Sequence, residues 1–100
     1  MAEPYEHVNY DFGAADRLSW ALSMAHEKIN ALVALRKSQR TSLLGEPTSD
    51  NWSGAKRNEF ETKFRSEQAA LAAEAAEMLR LKAAVDHATA EAHAVNAHAH

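Results

Sequence analysis

The sequence has no cysteine, which excludes disulfides, thiolate catalysis and thiolate metal sites and leaves the redox compartment open. No apolar run approaches membrane-spanning length, so stable membrane insertion is not expected. The polar face of the alanine-rich second half is acidic and mixed rather than rich in Lys and Arg, which argues against a helix lying on anionic lipid. Lys and Arg number 11 against 14 Asp and Glu, a net charge of -3. These cations are scattered rather than clustered, so there is no electrostatic footprint for nucleic acid. The opening residues MAEPYEHVNYDFG are acidic and aromatic, without the basic start and apolar segment of a secretory signal. The expectation is synthesis in the cytoplasm with no cleaved signal peptide.

Enzymatic signals are equally scarce. There is no Gly-rich phosphate loop, no nucleophile motif and no carboxylate pair that surface charge does not explain better, so neither catalysis nor a cofactor is expected. His93, His98 and His100 are spaced 5 and 2, which does not set two imidazoles on one helix face as an i,i+4 pair does. No metal site is expected there, and residues 97–100 read as a frayed tail. His26 has no nucleophile adjacent in sequence and reads as a flank residue of a helix.

What is present is helical periodicity over 100 residues, enough for one small domain. The hydrophobic fraction is 46%, but much of it is alanine after residue 68, so bulky core residues are few. Additional apolar surface is expected from another chain. Residues 1–13 form an arm in which Tyr5, Tyr10 and Phe12 are placed to lie over a helix; fraying is the alternative. Asp11 or Asn9 is the candidate cap of a first helix over 14–44, with Asp16 in an early turn. Leu18, Leu22, Ala25, Ile29 and Leu32 are spaced 4, 3, 4, 3, the pattern of a helix packed along its length on another. At about 1.5 Å per residue, that helix is roughly 45 Å long, and the molecule should be a rod. Arg36, Lys37 and Arg40 gather toward its end, where cations suit the helix dipole, and Gly45 with Pro47 marks a stop.

Residues 45–53 form a loop leading into Trp52, and Asp50, Asn51 or Ser53 caps a second helix over 54–96. Its alternating seam starts at Phe60 and runs through Phe64, Glu67, Leu71, Glu74, Met78, Leu81, Val85, Ala88 and Ala92 to Val95. Only the two glutamates interrupt it, and they are candidates to meet basic residues of a partner and set its register. Ala72, Ala75, Ala76, Leu79 and Ala83 lie beside that seam as a small-residue strip for a second helix to approach. A hairpin covers one strip on each helix; two hairpins cover both as a four-helix bundle. The fold class is therefore all-α, an antiparallel helical hairpin that dimerises.

Trp52, Ser53 and Gly54 form a Trp-x-Gly triplet at mid-chain between two heptad-like helices, followed by Phe60 and Phe64 at helical spacing. In length, layout and these residues the chain resembles the WXG family, the ESAT-like proteins exported by type VII (ESX) secretion. The resemblance implies an antiparallel four-helix bundle of two hairpins, usually a heterodimer though a homodimer is allowed, with the secretion machinery as a further partner. It also implies export without a cleaved signal. The family's Tyr-x-x-x-Asp/Glu export signal follows helix two, and no tyrosine follows Tyr10 here. His87 and Glu91 have that spacing with imidazole in place of phenol; otherwise the signal is expected on the partner. Trp52 is expected to pin the bend, and Gly54 to allow close backbone approach or an unusual dihedral there. The competing classes are a cytosolic chaperone or adaptor for a larger helical substrate, and a self-associating helical rod.

Overall fold

A computed structural model describes residues 9–44 and 54–98, which form two helices, α1 (Phe12–Leu44) and α2 (Gly54–His98). The helices run antiparallel side by side: Ser19 Oγ donates to Asp86 Oδ1 at 2.6 Å near one end, and Gln68 Nε2 donates to the Val33 carbonyl at 3.0 Å further along. The molecule measures 75 × 19 × 14 Å. It is a rod one helix layer thick.

Asp11 caps α1. Its carboxylate accepts the Ala14 amide at 2.9 Å, and its carbonyl accepts the first intrahelical bond from Ala15 at 3.0 Å. Helix α1 therefore starts two residues before the expected boundary, and Asp16 falls beyond the first turn, where the dipole's pull on a charge has faded. The last turn of α1 holds no basic residue. Arg36 and Arg40 instead turn inward to carboxylates on α2, a stronger attachment than exposed carbonyls offer.

The contact between the helices follows a seven-residue repeat on both. Toward α2, α1 turns Ala15, Leu22, Ile29 and Arg36 together with Ser19, His26, Val33 and Arg40, all buried or half-buried. Across from them α2 sets Phe64, Leu71, Met78, Val85 and Ala92, with Glu61, Gln68, Ala75, Lys82 and Thr89. Half of each expected seam is in place; the other half is displaced by one residue. Leu18 and Leu32 give way to Ser19 and Val33, and Glu74 and Ala88 give way to Ala75 and Thr89. The reason is closeness: Ala75 is 5% exposed, and a small side chain at mid-contact lets the backbones approach where glutamate would hold them apart. Ala75 thus belongs to the hairpin itself rather than to a strip reserved for another helix.

The arm does lie over α2 where it is described. The Tyr10 hydroxyl hydrogen-bonds Thr89 Oγ1 at 2.8 Å, and Phe12 stacks on His93 with centroids 4.2 Å apart. Tyr5 and Trp52 lie outside the described residues, as do the Gly45–Pro47 stop, the cap candidates Asp50, Asn51 and Ser53, and His100. Gly54 opens α2 without a positive φ, and among the described residues no atom lies within 4 Å of where a Cβ would stand. The expectation of a special dihedral at Gly54 is corrected accordingly.

Candidate partner-binding face

The core of the hairpin is thin. Among the described residues, the buried apolar side chains are Ala15, Leu44, Ala75 and Ala92, and no large side chain is fully enclosed. A compact monomer of this mass, 11.0 kDa, would expose roughly 5,600 Å². This chain exposes 7547 Å², and a single layer of two helices leaves both of its broad faces uncovered.

One broad face carries the displaced seam residues. On α1, the row beside the contact is Leu18, Ala25, Leu32 and Gln39; on α2 it is Phe60, Glu67, Glu74, Leu81, Ala88 and Val95. Two shallow grooves place these rows on the same side. One groove runs between Gln39 and Leu43 of α1 and Phe60 and Lys63 of α2, the other between Ala14 and Leu18 and Ala84 and Ala88. Gln39 repeats the row of Leu18, and Ala88 repeats that of Glu67, three heptads on. Leu18 is 50% exposed, and Leu32 and Leu43 are also exposed. A leucine half in water is ordinary; a row of them along a face is a surface that excludes water once covered.

At the end of this face toward the bend, charge and aromatic rings lock the helices together. Arg40 grips Glu61 with two of its guanidinium nitrogens, Nε donating to Oε1 at 2.7 Å and Nη2 to Oε2. Arg36 pairs with Glu67, and both guanidinium carbons lie 5.7 Å from the centroid of Phe64. Phe60 and Phe64 stack at 6.2 Å one turn apart. The hydrogen bond from Arg40 holds the Glu61 carboxyl below the usual carboxylate range against the opposing effect of burial, and that from Arg36 does the same for Glu67. Glu67 is thus satisfied within the chain rather than held for a partner. At the other end, hydrogen bonds from Lys82 and then Ser19 hold Asp86 down.

The residues expected to pack now divide by role. Leu22, Ile29, Phe64, Leu71, Met78 and Val85 join the two helices, while Leu18 and Leu32 stand out on the open face with the half-buried Phe60 and Leu81 at its margin. His87 and Glu91 approach to 3.1 Å as an exposed i,i+4 pair on α2. His26 is half-buried, with Asn30 3.2 Å from its Nε2. Sequence periodicity passed over Trp20, which is 67% exposed and stands outside both rows; a single aromatic off the stripe has no periodic signal. Among the described residues, no group of three His, Asp or Glu side chains is placed to hold a metal ion, and no helix is long and apolar enough to cross a membrane. Compared with known proteins, the chain matches no family model, no curated protein and no solved structure.

Proposed function

We propose that the chain is a non-enzymatic small substrate or subunit of a type VII secretion system, one half of a WXG-type heterodimer that forms a four-helix bundle. The observation that carries the reading is the open apolar face of a single-layer hairpin, with Leu18, Leu32 and Leu43 exposed along it. Two such hairpins laid face to face give each a second layer, the least arrangement that buries both strips of every helix. The Trp52–Gly54 triplet and its position between two long helices support the family assignment. In this reading the partner carries the export signal, and this chain is carried out with it.

The test is co-expression with the product of the neighbouring gene, followed by mass measurement in solution. A 1:1 complex, and loss of this chain from the culture medium when the partner's Tyr-x-x-x-Asp/Glu tyrosine is replaced, is the expected result. A monodisperse monomer that melts cooperatively alone and ignores that product would sink the reading.

A further inference from the structure

Building on that paired-hairpin reading, we propose that the open face is built for a different chain carrying a lysine or arginine at the position that meets Glu74, and not for a second copy of this one. The rows of the open face hold two acidic residues, Glu67 and Glu74. Glu67 is neutralised within the hairpin by Arg36. Glu74 is exposed near the middle of α2, between Leu71 and Leu81, and has no hydrogen-bond or ion-pair partner among the described residues. Covering this face removes a lone carboxylate from water in the centre of an apolar strip. That desolvation is offset when the covering surface brings a cation and is uncompensated when it brings another carboxylate or a hydrocarbon.

A second copy meets this requirement poorly. When two copies lie end for end with α2 on α2, the mid-helix position of Glu74 brings it against its own counterpart. When α1 of one copy covers α2 of the other, the unpaired cation at that level among the described residues is Lys28, which stands one row further round than Leu18, Ala25 and Leu32. The charge on this face therefore selects against self-pairing and for a cationic partner, as polar seam positions do in paired helices.

Charge reversal at this one residue supplies the probe. Wild type, Glu74→Lys and Glu74→Leu are examined separately by sedimentation velocity, with helical content checked by circular dichroism. Wild type is then mixed with Glu74→Lys. The expected result is a 1:1 mixed dimer roughly tenfold or more tighter than wild-type self-association, self-association of Glu74→Leu, and loss of the mixed dimer when Leu18→Glu is added. Wild type pairing with itself as tightly as the mixture, or a mixture that stays monomeric while all variants are folded, overturns the proposal. The complex with the neighbouring gene's product separates the two levels. If that complex forms in wild type and survives Glu74→Lys undiminished, only the charge assignment fails; if it never forms, the paired-hairpin reading fails.

Discussion

Ala75 shows how much one residue decides in the contact between two helices. It is buried in the contact between the helices, 5% exposed, where an added side chain has little room. Ala75→Leu should force the helices apart and destabilise the hairpin by about 1–3 kcal/mol, read as a lowered urea midpoint, whereas the same change at exposed Ala76 should leave the midpoint nearly unmoved. The carboxylates give a second handle. Glu61 and Glu67 are held below their usual range in the folded chain by Arg40 and Arg36. A depressed folded value means that the stabilisation is present above the unfolded-state pKa and is lost as pH falls through the folded one. The melting temperature should therefore fall on acidification through and below the ordinary carboxylate range. The fall should be smaller in a Glu61→Gln, Glu67→Gln double variant, which has little of this linkage to lose.

At the scale of the helix, the start of α1 was open to close reading. Asp11 preceding an apolar-periodic run is a cap signature, and it accepts the Ala14 amide as such a residue should. Asp11→Ala should cost about 1 kcal/mol, with faster amide hydrogen exchange confined to the first turn and to the Tyr10–Thr89 latch beside it. The rows along each helix were only half legible. A 4, 3 spacing identifies a stripe but not its centre, because residues at i, i+3, i+4 and i+7 all satisfy it. Leu18 and Ser19 compete for one position, and hydrophobicity favours leucine. The contact chose Ser19, since its hydroxyl reaches Asp86 at 2.6 Å while the neighbouring small residues let the helices close. The same offset moved Glu74 out of the seam and Ala75 into it.

For the whole molecule, shape governs behaviour. A rod 75 Å long and 14 Å thick has no interior of its own beyond the line where its helices touch, so its stability and its association draw on the same apolar rows. Leu32→Glu should separate these functions. Leu32 is exposed, so the isolated hairpin should keep its melting temperature within a degree or two of wild type by roughly the small effect typical of surface changes. Binding of a covering partner should nevertheless be lost, as measured by mass in solution. A parallel loss of stability in the isolated chain would instead place Leu32 in the hairpin contact.

What the sequence by itself determined is the kind of object this is. Two long apolar repeats, separated by a segment with glycine and proline, specify two helices that must lie against each other, and their lengths dictate a rod. Cysteine-free composition and scattered charge bound its chemistry just as directly. What only the tertiary structure decided is which side of each stripe the helices share and which they leave open. That choice depends on how closely two backbones can approach, set by Ala15, Ala75 and Ala92 in combination. It also depends on which arginine reaches which carboxylate across the gap. Both are properties of pairs of residues far apart in the chain, and no periodicity within one helix contains them.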